Sequence, residues 1–192
     1  AAEQLALTAI LIAVVGMPGC GKGELAKVVA DAGYPVYSMG DMIRAEVERR
    51  GIEGDPHVFG RVAQEMRDEF GYGVLATKLV PEVEKSLSTN PIVLIEGMRG
   101  VDEQEVFVQA WKSNFQVVAI EAAADIRFDR ITQRGRAEDG NRNSFDIRDQ
   151  RESGWGVEKL ISGAEHHLTN ESGLEEFQNV AKNWLESVFP VH

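Results

Sequence analysis

The chain has 192 residues and a formal charge of −11, with 20 Lys and Arg against 31 Asp and Glu. That length suits one domain with a full hydrophobic core, and the acidic balance argues against a general DNA or anionic-membrane binder. The single cysteine, Cys20, excludes an internal disulfide and suits a reducing cytosol.

The longest apolar stretch, Leu5 to Val15, is too short to span a bilayer. It has no basic leader and runs straight into a glycine-rich loop, so it predicts a first strand at about Thr8–Val15 rather than a signal peptide. A helix follows over Gly23–Ala32, closed by Gly33, and Pro35 keeps the next segment extended into a short strand, Val36–Ser38. Helices are predicted at Asp41–Arg50, from the Gly51–Pro56 loop to Phe70, and from the Gly71-Tyr72-Gly73 break to Leu87. Ile92–Ile95 is a fully apolar strand of buried type, with a helix after it over Asp102–Lys112. Phe115–Ile120 is the next strand and Ala124–Arg134 the next helix. The segment Gly135–Asn143 is too polar for core. Helices at Ser144–Ser153 and Val157–Ile161, a polar strand His166–Thr169 and an amphipathic helix Leu174–Val188 complete the chain. Strands alternating with helices predict an α/β fold: a five-stranded parallel sheet with helices on both faces.

The loop between the first strand and helix reads Gly16-Met17-Pro18-Gly19-Cys20-Gly21-Lys22-Gly23. Strand, glycine-rich loop with a terminal Lys, then helix is the layout of a P-loop. Glycines let successive N–H groups turn inward around an anion, and the helix N-terminus adds partial positive charge. Lys22 supplies a point charge for outer phosphates. The Ser or Thr that usually follows the Lys and helps hold Mg²⁺ is missing, and Gly23 and Glu24 stand there. Glu24 in a first helical turn reads as stabilising the helix dipole, with contact to Mg²⁺ the alternative. Cys20 reads as a small residue for a tight turn rather than an activated thiol.

Ligands of open parallel sheets gather at the C-terminal ends of strands. Three further segments fall there. Asp41 and Arg44 open the helix after the second strand, where Asp41 suits a cap and Arg44 an anion. Glu96 ends the third strand, where a carboxylate beside a P-loop would hold Mg²⁺ through water, and Arg99 follows as an anion ligand. Between Arg127 and Arg151 lie seven arginines and five acids, an island of net +2 in an acidic chain. Such an island is either an anion site or a helix laced with surface ion pairs. Arg130 and Arg134, at i and i+4, share one helix face. The adjacent His166-His167 would point to opposite sides of a strand, and no zinc is expected. Trp111, Trp155 and Trp184 read as packing residues.

Gly-x-Pro-Gly-x-Gly-Lys-Gly, Ser-x-Gly-Asp-Met-Ile-Arg, Glu-Gly-x-Arg and Arg-Ile-x-x-Arg occur here in the order found in adenylate kinases and related nucleoside monophosphate kinases. The whole chain resembles an archaeal group of adenylate-kinase-related or dephospho-CoA-kinase-like P-loop proteins, largely without an assigned substrate. The resemblance implies a single three-layer P-loop domain with an acceptor-binding arm at about 40–87 and an arginine lid at about 134–151. By it, Gly16 to Glu24 bind ATP together with Arg130 and Asn170, the latter at the base. Asp41, Arg44 and Arg99 serve the acceptor. Lys22, Arg134, Arg136, Arg148 and Arg151 neutralise the transferring phosphoryl group, with Mg²⁺ anchored by Glu96 through water. Two departures stand out: adenylate kinases carry Thr where this chain has Glu24, and an Asp-Gly-Phe-Pro-Arg turn where it has the shorter Glu-Gly-Met-Arg.

The implied activity is in-line transfer of the γ-phosphoryl group of ATP to a nucleotide-like small molecule. A dephospho-CoA-kinase-like reaction, with Asp41 as base on a ribose hydroxyl, is the nearer alternative. A nucleotide-dependent switch or ATPase acting on a protein or RNA partner is the more distant one.

Overall fold

In the computed structural model, residues 9–53, 56–134 and 141–188 are described. Strand β1 (Ile10–Val15) leads into α1 (Lys22–Asp31), and β2 (Val36–Ser38) into α2 (Gly40–Arg50), α3 (Pro56–Phe70) and α4 (Val74–Leu87). Then come β3 (Ile92–Glu96), α5 (Val101–Trp111), a short 3₁₀ turn and β4 (Phe115–Glu121). The chain continues through α6 (Ala124–Arg134), α7 (Arg142–Gly154), α8 (Val157–Ser162), β5 (His166–Thr169) and α9 (Leu174–Val188). The predicted elements are present in their predicted order. Thr8, the expected start of the first strand, lies outside the described residues, as do 135–140 of the polar segment.

The five strands form one parallel sheet in the order β2-β3-β1-β4-β5. Alternate strand residues face opposite layers. Leu11, Ala13 and Val15 of β1 pack with Val93 and Ile95 of β3 into a core closed by α4 and α5, through Leu79, Val83 and Phe107. Ile12 and Val14 pack on the other face with Leu25 and Val29 of α1 and Phe177, Ala181 and Trp184 of α9. The central strand β1 is buried on both faces, which fixes the height and direction at which the glycine-rich loop leaves the sheet.

The helix after the polar segment starts earlier than Ser144. Asn141 is its cap, with its side-chain oxygen accepting from the Ser144 N–H at 3.0 Å. This satisfies one of the orphan donors of a first helical turn. Among the described residues no helix is long and apolar enough to cross a membrane.

Candidate active site

The glycine-rich loop is held in shape from beneath. Gly19 and Gly21 have φ of +78° and +109°. A Cβ at Gly19 would lie 2.8 Å from the Arg127 carbonyl oxygen, and one at Gly21 2.5 Å from Asn170 Nδ2. Only glycine fits both conformation and space at these two positions. Gly23, by contrast, has nothing within 4 Å of an added Cβ.

Asn170, at the end of β5, donates from Nδ2 to the Cys20 carbonyl at 2.9 Å, and its Oδ1 accepts from Arg130 Nη2 at 3.3 Å. It is buried, with both ends of its amide engaged. It is therefore a strut under the loop, and it also lines the cavity above it. Arg127 is a second strut. Its Nε donates to the Ala122 carbonyl and Nη1 to the Pro18 carbonyl, each at 3.0 Å. Its guanidinium forks onto Asp149 of α7 at 2.9 and 2.7 Å. The arginine island is thus divided in function. Arg127 and Arg142 are structural, Arg142 pairing with Asp125 and Asp146, whereas Arg130, Arg134 and Arg148 line a cavity over the loop.

That cavity has a volume of ≈ 820 Å³ and is floored by Gly19, Gly21, Lys22 and Gly23. Lys22 curls back on the loop, its Nζ donating to the carbonyls of Gly16 at 2.7 Å and Met17 at 3.2 Å. Burial lowers its pKa below the ordinary lysine value. Arg130 Nη1 is buried without a hydrogen-bond partner, an N–H at the cavity wall still lacking an acceptor. Cys20 is 1 % exposed and burial pushes its thiol up, which fits a packing residue and opposes an activated nucleophile.

Glu24 borders this cavity and Glu96 does not. Glu96 ends β3 opposite Ser38 and is half-buried. No group of three His, Cys, Asp or Glu gathers among the described residues. A bound Mg²⁺ would therefore take most of its oxygens from nucleotide phosphates and water, as this ion commonly does.

A second cleft of ≈ 590 Å³ lies between α3 and the α5, α7 and α8 ends, bordered by Gln64, Arg67, Tyr72, Arg99, Trp155 and Lys159. Arg99 lines both spaces. It pairs with Glu152 of α7 and stacks over the Trp155 ring at 5.9 Å. Trp155 is 46 % exposed, so the packing expectation fails for it, while Trp184 is buried as expected. Beneath Arg99, buried Glu103 accepts from the Arg99 and Gly100 N–H groups at 3.0 and 3.3 Å. It caps α5, and its Oε2 has no partner.

The structure brings Lys22, Arg99, Arg130, Arg134 and Arg148 together. It does not bring in Asp41 and Arg44, which pair with each other on α2, Asp41 also accepting from the Ser38 N–H at 3.2 Å. Neither borders the two spaces. Arg151 is exposed and also lies off both walls, and Arg136 lies outside the described residues. Sequence reasoning missed Glu152 and Glu103. For Glu103 there was a signal, the capping-box spacing of three residues after Gly100. Glu152 carried none, because its meaning comes from α7 folding back against the loop.

A parallel sheet with an anion-cradling loop after its central strand defines a P-loop kinase-like domain. A family model described as an AAA domain matches residues 15–146. The chain is 40% identical over 177 residues to a UPF0200 protein of Hyperthermus butylicus, covering 92% of this chain and 93% of that one. It is 37% identical over 180 residues to one of Halobacterium salinarum, covering 94% of each. The chain belongs to the UPF0200 family of archaeal proteins. Among solved structures, TT1252 from Thermus thermophilus matches with a TM-score of 0.66 at 18% identity, over 93% of this chain and 97% of that one. Shikimate kinase from Acinetobacter baumannii, in complex with shikimate, matches at 0.60 and 17%, over 98% and 97%. At these identities the two share the fold.

Proposed function

We propose that this protein transfers the γ-phosphoryl group of ATP to a nucleotide-like small molecule. The observation that carries the reading is Arg99, shared by the phosphate cavity and the neighbouring cleft. Two ligand spaces meeting at one guanidinium suit a donor and an acceptor brought end to end. Lys22 and the loop amides hold the donor phosphates, with Arg130 Nη1 supplying a further N–H. Arg134 and Arg148 stand on the same wall to neutralise charge on the transferring group. Mg²⁺ bound with the nucleotide screens phosphate charge, and Glu96 is its proposed protein anchor through water. The acceptor lies in the second cleft, among Arg67, Lys159 and the exposed faces of Tyr72 and Trp155. Arg136 and Arg151 remain lid candidates, Arg151 being exposed and off both walls, and the proposed reaction is cytoplasmic. The kinase fold of the UPF0200 chain and its likeness to shikimate kinase, whose ligand is a small molecule, support this reading over a switch acting on a protein or RNA.

Charge-assisted hydrogen bonds contribute about 1.5–3 kcal/mol. Lys22→Ala is therefore expected to weaken ATP binding roughly tenfold to a hundredfold by calorimetry, and to abolish ADP formation. Turnover near the wild-type rate in that variant would sink the assignment.

A further inference from the structure

Glu152 is a buried carboxylate on the phosphate-cavity side of Arg99, the residue that both spaces share. It is 3 % exposed, borders the phosphate cavity with Lys22, and is paired with Arg99. A small void between β1 and α7 is also walled by Gly16, Lys22, Arg99 and Glu152 together. The Glu152 charge acts on Lys22, raising its pKa against the larger effect of burial. Arg148, one turn earlier on α7, faces the same cavity. Lys22, Arg99 and Arg148 thus line one cavity with this carboxylate, and Arg99 joins that cavity to the second cleft.

An anion fixed there discriminates between acceptors. A phosphate group attacking from the second cleft would bring a doubly charged oxygen cluster against Glu152, with Arg99 already engaged by that carboxylate. An alcohol brings no charge, and its proton needs a base within hydrogen-bond reach. We infer that the acceptor is a hydroxyl group and that Glu152 is its general base. This rests on the phosphoryl-transfer reading above. The acceptor O–H bond breaks and its proton passes to a Glu152 carboxylate oxygen. The acceptor oxygen forms a bond to the γ-phosphorus, and the bond from that phosphorus to the bridging oxygen breaks. The electron pair stays on the β-phosphate of ADP, and Glu152 releases its proton to water once product leaves. Arg99, paired with the carboxylate and lining both spaces, positions it beside the phosphate cavity. Asp41, the base suggested by the sequence, is tied to Arg44 and the Ser38 N–H and borders neither space.

The test supplies MgATP with two acceptor sets. The hydroxyl set is dephospho-CoA, adenosine and shikimate, with hydrolysis by water measured as the background of each assay. The phosphate set is AMP, CMP, UMP and GMP. Phosphoryl transfer is expected only within the hydroxyl set. Glu152→Gln is expected to lower that rate by about 10²-fold or more, the usual contribution of a general base, with the ATP Kd unchanged within about twofold. Unchanged ATP binding also shows that the variant is folded. Glu152→Asp should keep part of the activity and Asp41→Asn most of it. Efficient conversion of a nucleoside monophosphate to its 5′-diphosphate, a new P–O–P bond, overturns the inference. So does a Glu152→Gln rate equal to or above wild type, or a loss that follows Asp41 instead. Bound ATP that is left intact or only hydrolysed, with no phosphate on any added acceptor, overturns the phosphoryl-transfer reading and the base with it.

Discussion

Gly21→Ala tests whether the phosphate loop is braced by Asn170. The residue has φ +109°, and the new Cβ would meet Asn170 Nδ2 at 2.5 Å. Holding a non-glycine residue in such a conformation costs about 1–3 kcal/mol. Displacing the amide leaves the buried Cys20 carbonyl without its donor, a further cost of about 1–3 kcal/mol. The sum, about 2–6 kcal/mol, corresponds to a Tm loss of roughly 5–20 °C for a chain of this size. Differential scanning calorimetry with and without MgATP reads it, and the ATP-induced rise in Tm should also shrink because the loop amides no longer converge. Gly23→Ala is the matched control, since nothing lies within 4 Å of its added Cβ and its backbone lies outside the positive-φ region. It should leave Tm unchanged or slightly raised. A Gly21→Ala protein within about 2 °C of wild type, with undiminished ATP affinity, would refute the bracing argument.

Arg127→Ala should cost about 3–5 kcal/mol, because it leaves Asp149 partly buried without its partner and frees the Pro18 carbonyl. A loss of Tm below about 2 °C would show that the fork between α6 and α7 carries little. Burial raises the Glu103 pKa above its ordinary 4.5, so the unfolded chain releases that proton at lower pH than the folded one. Native stability from this group is therefore present at acid pH and is lost as pH rises through the folded pKa. Glu103→Gln keeps an oxygen for the Arg99 and Gly100 N–H groups, and should raise Tm at about pH 8 with a smaller gain at about pH 4. A gain of equal size at both pH values would contradict it.

Much of this fold is written locally. The continuous apolar runs of β1 and β3 and the glycine after α1 each specify their element through nearest neighbours, so the order of strands and helices is legible. Even the polar strand at His166 declares itself, because it sits between two turn signals. The phosphate loop is legible for the same reason: its glycines, its Lys and the flanking elements are contiguous. What contiguity cannot convey is which arginine of a helix turns inward. Arg127 and Arg130 are three residues apart, yet one locks onto Pro18 and Asp149 while the other keeps an N–H unpaired at the cavity. The difference depends on how α7 packs, and that is set by contacts more than twenty residues away. Asp41 and Arg44 mislead in the opposite sense, since two good ligand types three residues apart on a helix also satisfy each other. Glu152 gains its meaning only once α7 closes against β1.

The strut from Asn170 to the Cys20 carbonyl spans 150 residues of sequence. During synthesis the glycine-rich loop leaves the ribosome 150 residues before the residue that braces it. β4 and β5, which complete the sheet on that side, also come late. A nascent chain ending before Asn170 would present every motif residue of the loop and still lack the shape that gathers phosphate. On the proposed reading, the loop takes the shape that holds nucleotide only once the chain has been made as far as Asn170.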